Sequence, residues 1–187
     1  FQNKTNFNSD ISNWDVSNVT DMGSMFRDAT SFDQDISSWD VGNVAVMENM
    51  FFDTDFDQNI GSWNVSNVTT MKGMFKDNTS FNQDISSWDV SNVFNMQSMF
   101  QEATSFNQDI GSWDVSNVTS MPNMFNGVTL TTTNYDALLI GWAAQTLNSN
   151  ITFNGGSSQY SAGTAATARG TLTGAPNNWT VTDGGQV

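Results

Sequence analysis

Residues 81–100 read FNQDISSWDVSNVFNMQSMF, and this phrase, with small variations, occurs five times before about residue 130. Its tryptophan falls at Trp14, Trp39, Trp63, Trp88 and Trp113, at spacings of 25, 24, 25 and 25. A fixed period in the twenties marks an array whose units cannot bury their apolar faces alone and close them against one another. The expected fold class is therefore an α/β solenoid, right-handed because crossovers between parallel strands follow that hand.

Within the phrase the period changes. In FNQDIS, Phe81, Gln83 and Ile85 alternate with Asn82, Asp84 and Ser86, which is strand spacing, so this run is expected to build the main parallel sheet. The small pair Ser86-Ser87 turns a corner, and Trp88 and Val90 point inward again from a second short extended piece. In VFNMQSMF, Val93, Met96, Met99 and Phe100 lie on one helical face, so one or two turns of α or 3-10 helix are expected. Pro122 fits only the first turn of such a helix, which makes Asp21, Val46, Thr70, Asn95 and Ser120 the expected N-caps. Linkers return the chain to the next Phe, and the one shortened copy, Phe52 to Asp55, explains the single spacing of 24.

The array is expected to occupy residues 1–129, and residues 130–187 to form degenerate capping coils of the same solenoid. The expected capping elements are a helix capped near Asn134 through YDALLIGWAAQ, a strand at 151–153, a helix through SAGTAATARGTL and a strand at 179–182. Phe1 precedes Phe7 as Phe26 precedes Phe32, so the chain reads as starting on the tail of an earlier repeat within something longer.

Composition narrows the chemistry. Cysteine and histidine are both absent, which excludes a disulfide framework, thiolate zinc sites and the commonest general base. Catalysis would rest on carboxylates alone. Nineteen acidic residues face five basic ones, a net charge of −14, which disfavours nucleic acid and anionic membrane surfaces as partners. No run of about 18 apolar residues offers direct insertion into a membrane.

Reading the repeats as columns separates packing from surface. All ten methionines fall in two columns, Met22, Met47, Met71, Met96, Met121 and Met25, Met50, Met74, Met99, Met124, read as gap-filling core rather than as a promiscuous binding face. The repeat tryptophans read as core residues whose indole N–H meets a carbonyl of the neighbouring coil; an aromatic platform for a ligand is the alternative. Asn18, Asn43, Asn67, Asn92 and Asn117 sit at a corner where an amide can serve the backbone of its own turn and of the next coil, and Asp15, Asp40, Asn64, Asp89 and Asp114 suit Asx-turns. The Asn-x-Thr triplets arise from that corner and are weak evidence of glycosylation.

With Phe, Gln-Asp-Ile, Trp-Asp-Val, Asn-Val and Met-Phe at fixed mutual spacing, the phrase resembles the short repeat of BspA-like leucine-rich-repeat proteins, a bacterial surface family. NYDALLIGWA, ITFNGG and WTVTDGG resemble the cap that follows such arrays. The resemblance implies a leucine-rich-repeat-like stack and an extracellular or cell-surface protein linked with adhesion, with no catalytic residues to carry over.

One surface resists a purely packing role. Asp10, Asp33, Asp35, Asp57, Asn59, Asn82, Asp84, Asn107 and Asp109 are expected to leave the core on the sheet side, where they form the candidate binding face. The expected function is a non-catalytic extracellular module that adheres to, or binds, an extracellular protein or glycan through this acidic face. A stiff spacer beside neighbouring repeats or domains is the alternative, and a polysaccharide-active enzyme a minor one. Crowded carboxylates repel one another, so Asp33 and Asp35 on one coil with Asp57 on the next are the candidate ligands for calcium, bound at ~0.1–1 mM at best. No other cofactor is expected.

Overall fold

The computed structural model describes residues 1–187. The expected α/β solenoid of short strands and helices is not what this chain builds, for the repeat region forms neither a regular strand nor a helix. Regular elements are confined to the end of the chain: α1 (Thr132–Ala143), β1 (Thr152–Asn154), α2 (Thr164–Thr173) and β2 (Thr180–Thr182). Strands β1 and β2 form a two-stranded parallel sheet. Of 83 backbone hydrogen bonds, 67 lie outside these elements, so turns and bonds between repeats hold the fold.

The expected helix fails for a definite reason. In the fourth repeat the N–H groups of Met96, Ser98, Phe100 and Glu102 leave the turn for the carbonyls of Ser120, Pro122, Met124 and Asn126 in the next repeat, at 2.7–3.0 Å. Those of Met99, Gln101 and Ala103 turn back to residues three earlier. An α-helix needs every N–H to reach back four residues, and this alternation forbids it. Positive φ enforces the alternation at Ser24, Asn49, Gly73, Ser98 and Asn123, and again at Asp28, Asp53, Asp77, Glu102 and Gly127. The first set holds residues with small side chains, and glycine and asparagine suit the left-handed region.

The expected N-caps are corrected with it. Asp21, Val46, Thr70, Asn95 and Ser120 form a row of isolated parallel bridges from repeat to repeat. Pro122 is tolerated because the equivalent N–H, that of Gln97, goes only to Asn95 Oδ1 in its own turn, so no bond between repeats is lost.

The expected main sheet at FNQDIS is absent as well. Successive copies are joined there by a side-chain oxygen in place of a backbone carbonyl, described below, so no strand ladder forms.

The core follows the columns. Phenylalanines pair within each repeat, Phe26–Phe32, Phe51–Phe56, Phe75–Phe81 and Phe100–Phe106, at ring centroids of 3.8–4.0 Å. The inner rings Phe26, Phe51, Phe75, Phe100 and Phe125 stack from repeat to repeat at 5.4–5.8 Å. The methionines are buried, Met25 only partly. Trp39, Trp63, Trp88 and Trp113 are buried too, each Nε1 donating to the carbonyl of Ile11, Ile36, Ile60 or Ile85 in the preceding repeat at 3.1–3.2 Å.

The rungs continue into the final segment. Trp142 on α1 donates to Ile110 O as the repeat tryptophans do, and Asn148 reaches Ser116 O as the corner asparagines reach their neighbours. Helix α1 begins at Thr132, with Thr131 Oγ1 accepting the Asn134 N–H, a few residues before the expected cap. It lies so close to the fifth repeat that a Cβ on Gly141 would collide with the Gly111 carbonyl oxygen.

Candidate functional site

The polar face consists of two rows. In the first, the side-chain Oδ1 of Asn8, Asp33, Asp57 and Asn82 accepts the backbone N–H of Asp33, Asp57, Asn82 and Asn107, one repeat on, at 2.9–3.0 Å. The same oxygen accepts Nε2 of Gln34, Gln58, Gln83 and Gln108 at 2.9–3.0 Å. The row ends on Asn107, whose Oδ1 takes the Thr131 N–H at 2.8 Å and Asn134 Nδ2 at 3.1 Å. The Asn and Asp side chains of this row replace a strand ladder and carry the connection between repeats, a role the sequence reading did not give them.

In the second row, Asp10, Asp35, Asn59, Asp84 and Asp109 are exposed, and each Oδ1 accepts the N–H two residues on. The hydroxyls of Ser12, Ser37 and Ser86, followed by their backbone N–H groups, hold the Asp10, Asp35 and Asp84 carboxyls below the usual carboxylate range. Asp15 and Asp89, after the tryptophan, are lowered in the same way by Ser17 and Ser91. The Asx-turn geometry keeps these side chains ionised and fixed in direction.

Asp33, Asp35 and Asp57 are not gathered into a cage. No three acidic side chains of the protein converge as a cation site. Asp33 and Asp57 each spend one oxygen on the next repeat, and Asp35 spends one on its own turn.

A second acidic column lies on the methionine side, in the turns that the sequence reading assigned to outer linkers. Asp28, Asp53, Asp77 and Glu102 each follow an inner Phe by two residues and share a left-handed backbone. Burial, then the charges of Asp28, Asp77 and Asp55, push the Asp53 carboxyl up. Burial also pushes up Asp77, against the opposing pull of Lys76. Arg27 pairs with Asp28 at 3.2 Å, and Arg27 and Lys76 lie 4.6 and 5.3 Å from the Phe52 ring. The constant offset from Phe was visible in the sequence; the left-handed turn that gathers the column was not.

The end of the chain holds one buried network. Asp183 accepts the Tyr135 hydroxyl at 2.9 Å and Arg169 Nε at 2.7 Å, tying α1 and α2 to the residue after β2. Burial and the Asp183 carboxylate push the Tyr135 hydroxyl far up, so it serves as a donor throughout the accessible pH range.

A family model described as Mycoplasma protein of unknown function, DUF285, matches residues 1–55 and again residues 52–138. The chain belongs to this family. DUF285 is a repeat family, and its double match falls on the tandem phrase; the narrower likeness to BspA-like leucine-rich repeats is not part of that match. No curated protein and no solved structure matches the chain. The DUF285 match ends inside α1, so the columns of acids and amides lie within the matched part and the Tyr135–Asp183 network only partly so.

Proposed function

We propose that this protein is a non-catalytic repeat module, displayed outside the cell or on its surface, that binds an extracellular protein or glycan through its acidic polar face. The observation that supports the reading is the exposed row of Asp10, Asp35, Asn59, Asp84 and Asp109, in which every side chain is held by its own turn. Side chains already ordered lose little freedom on binding, so such a row suits recognition of a partner with regularly spaced cations or hydrogen-bond donors. The acids recur evenly instead of converging on one cleft, which favours a binder over a hydrolase. Asp35→Asn, Asp84→Asn and Asp109→Asn preserve the Oδ1 acceptor while removing charge. A screen of glycans and extracellular proteins is expected to yield a salt-sensitive ligand that the triple variant loses. Equal binding by the triple variant, or no ligand at all, overturns the reading.

The bonds that cross every interface from the first repeat to Asn148 favour a second role as a stiff spacer. A spacer tolerates charge removal over the whole face, and a binder does not.

A further inference from the structure

We propose that Asn126-Gly127 is a site of self-modification, where the chain converts its own asparagine to aspartate and isoaspartate. The sequence holds two Asn-Gly pairs, at 126–127 and 154–155. Asparagine amides are thermally labile, and a following glycine has no side chain to shield the amide carbon from the next backbone nitrogen.

The fold separates the two pairs. Asn126 and Gly127 are the central residues of a turn closed by Val128 N–H on Phe125 O at 2.9 Å. The same turn follows Phe26, Phe75 and Phe100, closed by the N–H groups of Ala29, Asn78 and Ala103. In the first four repeats the N–H at the second central position is engaged: Asp28, Asp53, Asp77 and Glu102 donate to Phe52 O, Lys76 O, Gln101 O and Asn126 O of the next repeat at 2.7–2.9 Å. At Gly127 the series stops. Its N–H makes no hydrogen bond within the protein, and the residue is exposed. The free N–H of this column therefore belongs to the one copy in which asparagine precedes it, the others having Arg27, Phe52, Lys76 and Gln101 there. In the second pair Gly155 is buried and its N–H donates to Thr182 O at 2.8 Å, while Asn154 Oδ1 accepts the Gly156 N–H at 2.8 Å. Reaction there requires β1 and β2 to part.

The Gly127 nitrogen gives its proton to water and attacks Asn126 Cγ. The Cγ–Nδ2 bond breaks, Nδ2 takes a proton from water and leaves as ammonia, and a five-membered imide forms. Water then opens the imide at either carbonyl, giving aspartate or isoaspartate, so the net change consumes one water and releases one ammonia. The side chain is restrained only by a long bond from Nδ2 to Glu102 Oε1 at 3.3 Å. Either product sets a carboxylate beside Glu102 where an amide donor stood. Isoaspartate also routes the main chain through Cβ, which moves the Asn126 carbonyl off the Glu102 N–H and removes a rung between the fourth and fifth repeats.

The test holds the intact protein at mildly alkaline pH and body temperature and follows, by mass spectrometry of its peptides, the conversion of amide to acid at each pair. Asn126 is expected to convert at least about tenfold faster than Asn154 in the folded protein, and the two rates to converge in denaturant. Asn126→Gln is expected to abolish the faster conversion. Equal rates at the two pairs in the folded protein overturn the proposal. So does an Asn126 that stays intact when folded yet reacts in denaturant, or fast conversion that persists in Asn126→Gln. In the isoaspartate fraction the Glu102 N–H should exchange faster with solvent, and unchanged protection there overturns the loss of the rung.

Discussion

Asp33 Oδ1 accepts the backbone N–H of Asp57, 3.0 Å away and one repeat on, together with Gln58 Nε2 at 2.9 Å. One side-chain oxygen thus does what a strand carbonyl does in a sheet. Asp33→Ala is expected to orphan two half-buried donors at a cost of about 1–3 kcal/mol, while Asp33→Asn retains most of the stability. Urea unfolding of the two variants separates them; equal losses would mean that the carboxylate charge, not the acceptor, matters.

Trp88→Ala removes a buried ring and leaves the Ile60 carbonyl without its indole partner, a loss of about 3–5 kcal/mol. Trp14→Ala, at the half-exposed equivalent, is expected to cost less than half as much. Comparable midpoints for the two variants in a denaturant titration would show that the position of a tryptophan along the array does not govern its burial.

Acid is expected to act on two sets of carboxylates with opposite sign. The folded-state pKa values of Asp53 and Asp77 are raised above 3.8, so the folded state takes those protons first. Their contribution to stability grows as pH falls through the raised values and is complete below 3.8. The values of Asp10, Asp15, Asp35, Asp84 and Asp89 are lowered, so their contribution is full above 3.8 and is lost as pH falls through the depressed values. Asp53 and Asp77 thus add stability as pH falls toward 3.8, and the five lowered groups withdraw theirs below it. Melting curves of Asp53→Asn with Asp77→Asn should lose the rise and keep the drop.

Helix α1 meets the fifth repeat through bare backbone. Gly141→Ala places a methyl against the Gly111 carbonyl and should push the helix outward, at a cost of about 1–3 kcal/mol. The Trp142 indole N–H, bonded to Ile110 O at 3.3 Å, should then exchange faster. An unchanged exchange rate in Gly141→Ala would place the closure of this end elsewhere.

The sequence disclosed the columns better than the backbone that carries them. Burial of Trp88 and Met96, the indole bond to the preceding repeat, the corner asparagines and the Asx-turns after tryptophan all followed from spacing. Hydrophobic periodicity misled at VFNMQSMF, because Met96, Met99 and Phe100 face inward from a chain of turns as they would from a helix. Positive φ at Ser98 and Glu102 decides between the two, and apolar spacing is blind to it. The alternation in FNQDIS likewise placed Phe81 and Ile85 inward, but could not reveal that Asn82 and its equivalents substitute for the carbonyls of a sheet. Of the candidate face, the row of Asp10, Asp35, Asn59, Asp84 and Asp109 is free toward solvent, and the row of Asp33, Asp57, Asn82 and Asn107 is engaged between repeats.

Two sets of backbone donors point in opposite directions along the array. On the methionine edge Met22, Ser24, Phe26 and Asp28 send their N–H groups to the following repeat, whereas Ala45, Thr69, Phe94 and Thr119 send theirs to the preceding one, as do the indoles and corner amides. An α-helix aligns its peptide dipoles head to tail, and partial charge collects at its ends. Here the two sets of dipoles oppose one another, so they do not add along the array as they do along a helix.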